Sequence, residues 1–576
     1  MVLAEQAKNL KMQNTLSKRL FLSLTAFAIA NFTICQAEGQ AVVHHKDYSQ
    51  VITQLDSLIK EKMARYNIKA VSIALVDDQS VILEKGFGFT DKAALHPVNE
   101  KTLFSAQSIS KTYTSTAFLM ECTEGKYNLD DPLIKYYPSF SVHSRSGPHE
   151  AKIITFRHLL SHRAGFCQEA PIGSNYDTVD CTFEEHIKSI SRGWLRFPVG
   201  KFYSYSNAGL DLTGYILSKQ ADISIDRYMK QTLLIPLGMT NSTYDQEEAY
   251  RYENIAKGHY GNSELRKTLI PDVAAGGLYS SVEDMAKFVS FQLNNCKIAG
   301  KVAVAPELLS QMRVIQFRLP QQPAGYGLGI SIKPYQGGTL LYHVGGGYGY
   351  SAIQAWIPEF KIGIVILTNS AYGYSFNQEI LNDALQGLIK TKTGSLTPTI
   401  QPNIKPVITL KSKYSKRFIG TYKTNRKLVT IKAIAGSLAL ISGTDTSLLR
   451  ANSATAFTAA NGERLIFHLK KDRVPAYFIS INQNDADFFI FNDAPGEKPG
   501  ANKVSWKAMT GTYQGYNDRQ PESVTLSMKN GYLYCSAGGE TKVSEYKPGL
   551  FFTADGESLF IKNETLYLGN RAYSRQ

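Results

Sequence analysis

The last third of the chain repeats itself, and this repeat constrains the fold more than any other feature of the sequence. Three segments recur in the same order, about 91 to 95 residues apart. The pairs are FIGTYKT at Gly420 with MTGTYQG at Gly511, VTIKAIAGSLAL from Val429 with VTLSMKNGYLYC from Val524, and FTAANGERLIF from Phe457 with FTADGESLFI from Phe552. Short alternating segments separated by Gly and Asn turns are typical of β-strands. The repeat therefore predicts two small all-β domains, each a barrel or a sandwich, over residues 411–497 and 498–576.

A proline-rich segment, TGSLTPTIQPNIKPV, separates the repeat from the rest and predicts a linker over residues 393–410. Residues 38–392 then form one further domain. An amphipathic helix is predicted over 49–66, followed by two strands, AVSIALVDD and SVILEKGFGFTD. Three more strands, TLLYHV, SAIQAWIP and KIGIVILTNS, and a closing helix come at the end of this domain. Strands at both ends with helices between them predict an α+β fold whose sheet joins early and late segments.

The first residues read as a secretory signal. Lys18 and Arg19 precede the apolar run LFLSLTAFAIANFTIC, and the small residues Cys35 and Ala37 follow. This pattern predicts a signal peptide over residues 1–37, cleaved after Ala37, and a periplasmic or secreted mature protein. An uncleaved amino-terminal anchor is the alternative.

The positive charge of the chain is concentrated in the β repeat. The formal net charge is +14, and residues 401–576 contain 24 Lys and Arg against 14 Asp and Glu. A basic domain can hold an exported protein on an anionic cell-envelope polymer. A merely well-solvated basic surface is the alternative, and an exported chain is not expected to bind nucleic acid.

Six cysteines are present, and five remain after cleavage of the predicted signal. Because five is odd, at least one thiol stays unpaired within the chain. Cys167 and Cys181 flank the loop-like stretch QEAPIGSNYDTVD and are the best candidates for a disulfide in an oxidising compartment.

A candidate nucleophile lies in FSAQSISKTYTS, where Ser108 and Lys111 are three residues apart at the start of a helix predicted over 108–122. Residues three apart share a helix face. A buried lysine can accept a proton there and activate the serine without a histidine. The same spacing recurs at Ser57–Lys60 and Ser544–Lys547, so the motif alone is not diagnostic.

Two later motifs complete an ordered set. KFYSYSNAGLDL contains Tyr205 and Asn207 as Y-S-N, and LYHVGGGYGYS contains His343 and Gly345 as H-V-G. With S-x-x-K, these motifs resemble those of the serine β-lactamase and penicillin-binding protein superfamily. The branch that the sequence most resembles is that of class C β-lactamases and their esterase, D-aminopeptidase and DD-carboxypeptidase relatives. The resemblance covers roughly residues 45–390 and implies a β-lactamase/transpeptidase-like domain, with an antiparallel sheet flanked by helices and a helical subdomain.

The resemblance also implies roles for the site residues. Ser108 attacks a carbonyl and becomes acylated, while Lys111 and Tyr205 share the proton transfers. Asn207 orients Lys111 and holds the substrate amide. The backbone N–H groups of Ser108 and Gly346 form the oxyanion hole. Gly345 and Gly346 then allow close backbone approach to the acyl group.

His343 departs from the lysine of the K-T-G motif. A histidine is mostly neutral near pH 7 and holds a substrate carboxylate less firmly than lysine does. Efficient β-lactamase or strict carboxypeptidase activity is therefore less expected than peptide, amide or ester hydrolysis. The expected enzyme is an exported serine hydrolase acting on small peptide, amide or ester substrates, and the favoured activity is that of a DD-carboxypeptidase- or D-aminopeptidase-like peptidase of D-amino-acid-containing or cell-wall-type peptides. The alternatives are an esterase, a weak β-lactamase, or a non-catalytic envelope-binding protein.

Other chemistries find little support in the sequence. GGGYG could cradle a phosphate, but no helix opening with Lys-Ser or Lys-Thr follows it. His158 and His162 in HLLSH could form a ligand pair, although packing and hydrogen bonding are favoured for both. We infer no metal and no cofactor.

Overall fold

A computed structural model of the protein describes the chain in segments. These are residues 46–93, 96–173, 181–265, 269–317, 324–397, 415–423, 428–434, 436–443, 445–460, 462–469, 475–481, 486–491, 504–517, 520–529, 531–537, 539–553 and 555–576. The predicted signal peptide (1–37) and most of the predicted linker (393–410) lie outside the described residues. Tyr48–Gln576 forms one compact unit.

An antiparallel sheet of seven strands is the centre of the first domain. Its strands are β1 (Ala70–Asp77), β2 (Ser80–Gly88), β3 (Gly325–Tyr326), β4 (Ser331–Tyr335), β5 (Gly338–Gly347), β6 (Tyr350–Ile357) and β7 (Ile362–Thr368), in the order β2-β1-β7-β6-β5-β4-β3. β1 pairs with β7, with Val71 opposite Thr368. Early and late segments therefore share one sheet, which confirms the predicted connection.

The α-helices of the described residues are α1 (Ser49–Tyr66), α2 (Ser110–Thr123), α3 (Phe156–Leu160), α4 (Phe183–Ile190), α5 (Asn207–Ala221), α6 (Ile225–Met229), α7 (Gln246–Ala249), α8 (Val273–Gly276), α9 (Val282–Leu293), α10 (Pro306–Met312), α11 (Tyr374–Thr393) and α12 (Val504–Met509). Both faces of the sheet are covered. Because side chains alternate along a strand, each strand contributes to the core on either face. On β7, Ile364 and Ile366 join the core that contains residues of α1 and α11. Val365 and Leu367 join the larger core of the helical layer on the opposite face.

The repeat folds into two closed eight-stranded barrels rather than sandwiches. The first consists of β8 (Gly420–Lys423), β9 (Leu428–Ile434), β10 (Ser437–Ser442), β11 (Asp445–Ala451), β12 (Ala456–Ala459), β13 (Arg464–Leu469), β14 (Pro475–Ile481) and β15 (Ala486–Phe491). The second consists of β16 (Gly511–Asn517), β17 (Gln520–Lys529), β18 (Tyr532–Ser536), β19 (Glu540–Lys547), β20 (Leu550–Thr553), β21 (Ser558–Lys562), β22 (Thr565–Leu568) and β23 (Arg571–Arg575). These strands fall inside the predicted ranges 411–497 and 498–576.

The two barrels repeat each other in detail. Tyr422 lies opposite Val429 in the first barrel, and Tyr513 lies opposite Val524 in the second. Both tyrosines are fully buried. The hydroxyl of Tyr422 donates to a backbone carbonyl four residues earlier at 2.9 Å, and that of Tyr513 does the same at 2.8 Å. The matched sequence segments therefore occupy matched structural positions.

The predicted disulfide between Cys167 and Cys181 is not formed in this structure. The Sγ atom of Cys167 donates to the backbone oxygen of Trp194 at 3.5 Å and lies beside Gly569 of the second barrel. Cys181 instead packs against Gly173. Because the two sulfur atoms pack against different segments, the loop between them is not closed by a bond. Burial raises the pKa of the Cys167 thiol to about 12, which keeps it protonated and unreactive.

In the described part of the chain, no helix combines the length and the apolar character that crossing a bilayer requires.

Candidate active site

Ser108 lies on a tight turn at the entrance to a buried helix. Residues Gln107–Ile109 form a 3-10 turn that leads directly into α2. Gln107 has a φ of +51°, and its side-chain amide donates to the Ser105 hydroxyl at 2.8 Å. A left-handed backbone is rare for a residue with a side chain and is common at active sites. The buried first turns of α2 therefore fix a strained turn that presents the Ser108 hydroxyl.

Lys111 is fully buried, and its ammonium group is aimed at the serine. Its Nζ atom lies 3.0 Å from Oγ of Ser108 and donates at 2.9 Å to the backbone oxygen of Ala275, in the short helix α8. These contacts hold the amine beside the hydroxyl from which it would take a proton. Nζ also lies 5.0 Å from the centre of the Tyr205 ring. The structure thus brings the three predicted catalytic residues together.

The other two S-x-x-K matches show no such contact. Ser57 lies on the exposed edge of α1, where its hydroxyl donates to the backbone oxygen of Thr53 at 3.4 Å. Lys60 binds the Asp56 carboxylate at 2.6 Å. In the second barrel, Nζ of Lys547 lies over the ring of Trp194. Burial and a directed lysine distinguish Ser108 from these matches.

Asn207 is the first residue of α5 and is also buried. Its Nδ2 atom donates to Oε1 of Glu169 at 2.8 Å, and its backbone N–H donates to the oxygen of Gln168 at 2.7 Å. The Y-S-N motif is therefore held against the segment 167–169, which follows α3 without joining a helix or strand. The Asn207 side-chain oxygen, which accepts no bond among the described residues, is left available.

His162 was not predicted to belong to the site, yet it supports the Y-S-N motif. It is fully buried, has a φ of +56°, and its Nδ1 atom accepts from the backbone N–H of Ser206 at 3.1 Å. Its ring lies 4.4 Å from that of Tyr205, centre to centre. Burial and the charge of Lys111 hold the pKa of His162 well below its usual range, so the ring is neutral. His158 instead caps α3, so the two histidines do not act as a ligand pair.

The free edge of β5 lies against the turn that carries the serine. β4 pairs with β5 only between Gly338 and Tyr342, and β5 then continues beside β6. A Cβ atom on Gly345 would lie 2.1 Å from the backbone oxygen of Ala106, so only glycine fits there. Gly346 is exposed, and a Cβ atom on it would meet nothing within 4 Å. Gly345 thus allows β5 to approach the backbone of the turn that carries Ser108, Gly346 beside it stays open, and a strand, not a helix, follows the two glycines.

His343 is buried at the start of this free edge. Its Nε2 atom lies 2.8 Å from the hydroxyl of Tyr326, and its Nδ1 atom lies 2.7 Å from the backbone oxygen of Val344. A carbonyl can only accept, so Nδ1 carries the proton and Nε2 accepts from the tyrosine. Burial and the charge of Lys111 lower the pKa of His343 to about 3. The position that the K-T-G motif fills with a cation is therefore neutral here.

Buried acidic groups lie behind the Lys111 amine. His186 faces Asp211 at 3.3 Å, and Asp211 accepts from the backbone N–H of Ala275, whose carbonyl holds the lysine. Although burial opposes it, the hydrogen bond and charge of Asp211 raise the pKa of His186 to about 9. Burial raises the pKa of Glu169, and burial together with the Glu169 charge raises that of Asp272 further. These groups lie in loops or among apolar residues, where no sequence motif marked them.

Comparisons with known proteins identify several relatives of this chain. Beta-lactamase-like protein 2 of Dictyostelium discoideum is 26% identical over 408 residues, which cover 66% of this chain and 72% of that protein. A Yersinia enterocolitica protein named Beta-lactamase is 25% identical over 400 residues, 64% of this chain and 97% of its own. Protein flp of Staphylococcus aureus (strain COL) is 26% identical over 246 residues. This chain spans about half the length of that last relative, 49%.

Among solved structures, the octameric penicillin-binding protein homologue from Pyrococcus abyssi superposes with a TM-score of 0.52 at 22% identity, covering 86% of this chain and 100% of that one. This likeness shows a shared fold. The sequence model of the family described as Beta-lactamase matches residues 55–387, which is more than half of the chain and contains all three motifs. The chain therefore belongs to the beta-lactamase family of serine hydrolases.

Proposed function

We propose that the protein is an exported serine peptidase that cleaves D-amino-acid-containing peptides of the cell-wall type through an acyl-enzyme on Ser108. The observation that carries the proposal is the contact of 3.0 Å between the buried Lys111 amine and the Ser108 hydroxyl. A lysine enclosed at a helix start, with one backbone carbonyl and one serine as partners, is arranged for proton transfer. A purely binding protein would have no use for that arrangement.

The reaction follows from the positions of the side chains. Lys111 takes the proton of Ser108 as the hydroxyl oxygen attacks the substrate carbonyl. The negative charge that develops on the carbonyl oxygen meets the backbone N–H groups of Ser108 and Gly346. Tyr205, beside the lysine, carries the proton to the leaving group. Asn207 binds the amide of the acyl side through its available oxygen, and water then hydrolyses the ester.

The neutral pair of His343 and Tyr326 limits which leaving groups the site would favour. DD-carboxypeptidase action requires a free carboxylate next to the scissile bond, and a cation at this position would bind it. Here a histidine whose pKa is lowered to about 3 stands in that place. We therefore favour substrates without a carboxylate on the leaving group. The same observation makes an esterase the second candidate.

We propose that the two barrels attach the protein to an anionic polymer of the cell envelope. Residues 401–576 hold most of the excess positive charge of the chain, 24 Lys and Arg against 14 Asp and Glu. An anionic envelope polymer is the partner that such a charge would attract outside the cell. Its binding would concentrate the enzyme near its substrates, and it would weaken with added salt.

Turnover of three chromogenic substrates tests the proposal. These are N-acetyl-D-alanyl p-nitroanilide, its L-enantiomer and p-nitrophenyl acetate. We expect hydrolysis of the D-anilide to exceed that of the L-anilide, and Ser108→Ala to abolish it. Ser57→Ala, at the exposed motif, is the matched control and should leave the rate unchanged. Hydrolysis of the acetate alone would support the esterase, and rates unchanged by Ser108→Ala would exclude the mechanism.

A second comparison tests the leaving group. An acylated D-alanyl-D-alanine peptide would be offered with a free carboxyl terminus and as its amide. We expect the amide to be cleaved at least as fast as the free acid. A preference of about tenfold or more for the free acid would instead assign DD-carboxypeptidase activity.

The role of Lys111 has its own test. Lys111→Met keeps an unbranched side chain of similar length but removes the amine. We expect acylation of Ser108 to slow by about 10²- to 10⁴-fold, the range for loss of a general base. Lys60→Met in the exposed motif should have no effect. Equal acylation rates in Lys111→Met and the parent would show that another group takes the serine proton.

A further inference from the structure

We infer that the second barrel forms part of the support of the active site, and that Asn570 is a positioning residue that holds Glu169 and, through it, Asn207. The inference rests on the proposed function, because it concerns how the same site is held for the reaction. It assigns to the second barrel a role in catalysis in addition to any attachment to the envelope.

A short chain of hydrogen bonds joins the barrel to the Y-S-N motif. Nδ2 of Asn570, in the turn between β22 and β23, donates to the backbone oxygen of Glu169 at 2.7 Å. Oε1 of the same Glu169 accepts from Nδ2 of Asn207 at 2.8 Å. The backbone of Asn207 donates to Gln168 at 2.7 Å, one residue earlier. Glu169 is thus bound on its backbone by the barrel and on its side chain by the active site.

The barrel is itself fixed to this region by a buried ion pair. Nη2 of Arg196 lies 3.2 Å from Oδ2 of Asp555, and the two side chains are only 6% and 2% exposed. A Cβ atom on Gly556 would lie 2.4 Å from the backbone oxygen of Arg196. A close backbone approach next to a buried charge pair leaves little freedom for the turn to move. The barrel therefore holds Asn570 at a defined place.

Aromatic contacts extend the same interface. The ring of Trp194 lies 5.6 Å from that of Phe552 and 6.2 Å from that of Tyr546, both on the barrel. The guanidinium of Arg145 lies 4.2 Å from the centre of the Phe552 ring. At the same interface, a polar cavity of about 30 Å³ has residues of both domains in its wall. The catalytic domain contributes Cys167, Gln168, Glu169 and Arg196, and the second barrel contributes Glu557, Gly569, Asn570 and Arg571.

Glu169 is held in the site through one carboxylate oxygen, because Oε1 accepts from Nδ2 of Asn207 at 2.8 Å and from the side-chain amide of Gln168 at 3.2 Å. It lies outside any helix or strand, it is 2% exposed, and its Oε2 atom accepts no hydrogen bond among the described residues. A buried carboxyl with an unsatisfied oxygen gains by moving toward water, which would withdraw Oε1 from Asn207. The bond from Asn570 to the Glu169 backbone opposes that movement. Removing it should let Asn207 lose its orientation.

The expected effect depends on the substrate. Asn207 binds the amide of the acyl side, so its misplacement should affect only substrates that carry that amide. Substrates with p-nitrophenol as a common leaving group separate the two cases: p-nitrophenyl N-acetyl-D-alaninate has the amide, and p-nitrophenyl acetate lacks it. For Asn570→Ala we expect kcat/KM to fall about tenfold or more with the first ester. With the second ester, the change should remain within about twofold.

Three variants of Asn570 and one control make the test specific. Asn570→Asp places a carboxylate against the Glu169 oxygen and should lose at least as much activity as Asn570→Ala, whereas Asn570→Gln keeps an amide donor and should restore part of it. Asn563→Asp makes the same change in charge at an exposed turn of the same barrel and should match the parent. Glu169→Gln, which keeps an oxygen for Asn207, should retain more activity than Glu169→Ala.

The outcomes separate this inference from the proposed function. If the parent enzyme hydrolyses both esters and all Asn570 variants match it, the enzyme stands and the positioning role is refuted. An equal loss on both esters, together with a lowered Tm, would show that Asn570 serves only the folding of the interface. If the parent hydrolyses neither ester, the proposed function fails first. A loss confined to the amide-bearing ester at an unchanged Tm supports the inference.

Discussion

Lowering the pH from 8 to 5 should destabilise the catalytic domain through His343, and the structure gives the size of the effect. In the folded chain, burial and the charge of Lys111 lower the pKa of His343 to about 3. In the unfolded chain, the imidazole has its ordinary pKa of about 6.5. Between these two values the unfolded state binds a proton that the folded state does not, so stability rises with pH through this window.

The magnitude follows from the two pKa values. At pH 8 neither state binds the proton, and His343 contributes nothing to the pH dependence. At pH 5, which is about 1.5 units below the pKa of the unfolded imidazole, the unfolded imidazole is almost fully protonated and the folded one is neutral. Each unit corresponds to about 1.4 kcal/mol, so the free energy of unfolding should fall by about 2 kcal/mol. Replacing His343 with Gln should remove this contribution to the pH dependence of the free energy of unfolding.

Urea titration at both pH values measures the effect. The chain has three tryptophans, and Trp194→Phe and Trp506→Phe leave Trp356, which is buried in the sheet, as the only reporter. The quantity to compare is the loss of unfolding free energy between pH 8 and pH 5 in this background with and without His343→Gln. The difference between those losses cancels any direct cost of the substitution.

Equal losses of unfolding free energy in the chains with and without His343→Gln would contradict this prediction. Equal losses would mean that His343 takes up a proton in the folded state as readily as in the unfolded state. A cation would then stand at the edge of the site at pH 5, and the preference for leaving groups without a carboxylate would lose its basis.

Two further predictions concern close contacts. Gly345→Ala should abolish labelling of Ser108 by a fluorophosphonate, because its Cβ atom would lie 2.1 Å from the backbone oxygen of Ala106. Gly346→Ala should leave Tm unchanged, because its Cβ atom meets nothing within 4 Å. Normal labelling of Gly345→Ala would contradict the close approach. Asp555→Asn should lower the free energy of unfolding by about 3–5 kcal/mol, the range for breaking a buried ion pair, and replacing Asp555 and Arg196 together by apolar residues should recover most of this loss. Urea titration with a probe in the second barrel measures the loss of unfolding free energy in Asp555→Asn. A loss below about 1 kcal/mol would indicate that water solvates the pair.

Sequence reasoning succeeded where the pattern is local. The helix predicted over 49–66 spans Ser49–Tyr66, because its apolar residues recur at helical spacing and bury one face. The repeat predicted two β domains because each copy carries its own strand and turn pattern. The choice between barrel and sandwich depended on strand closure, which neither copy encodes locally.

The missed residues act over long separations in the chain. Glu169 meets Asn207 across 38 residues and Asn570 across 401. A single glutamate in a loop carries no periodic signal, and a buried histidine such as His162 is indistinguishable in sequence from a packing residue. The expected bond between Cys167 and Cys181 failed for the same reason, because spacing along the chain does not give the direction in which a sulfur atom points.

The central claim is that Ser108 is an activated nucleophile, and intact-protein mass spectrometry tests it most directly. The purified protein would be incubated separately with a fluorophosphonate and with a penicillin, alongside Ser108→Ala and the control Ser57→Ala. We expect one fluorophosphonate adduct per chain, present in the parent and in Ser57→Ala and absent from Ser108→Ala. A penicilloyl adduct at the same residue would show in addition that Ser108 is acylated by an amide carbonyl. No adduct with either reagent, or an adduct of equal yield in Ser108→Ala, would contradict the account.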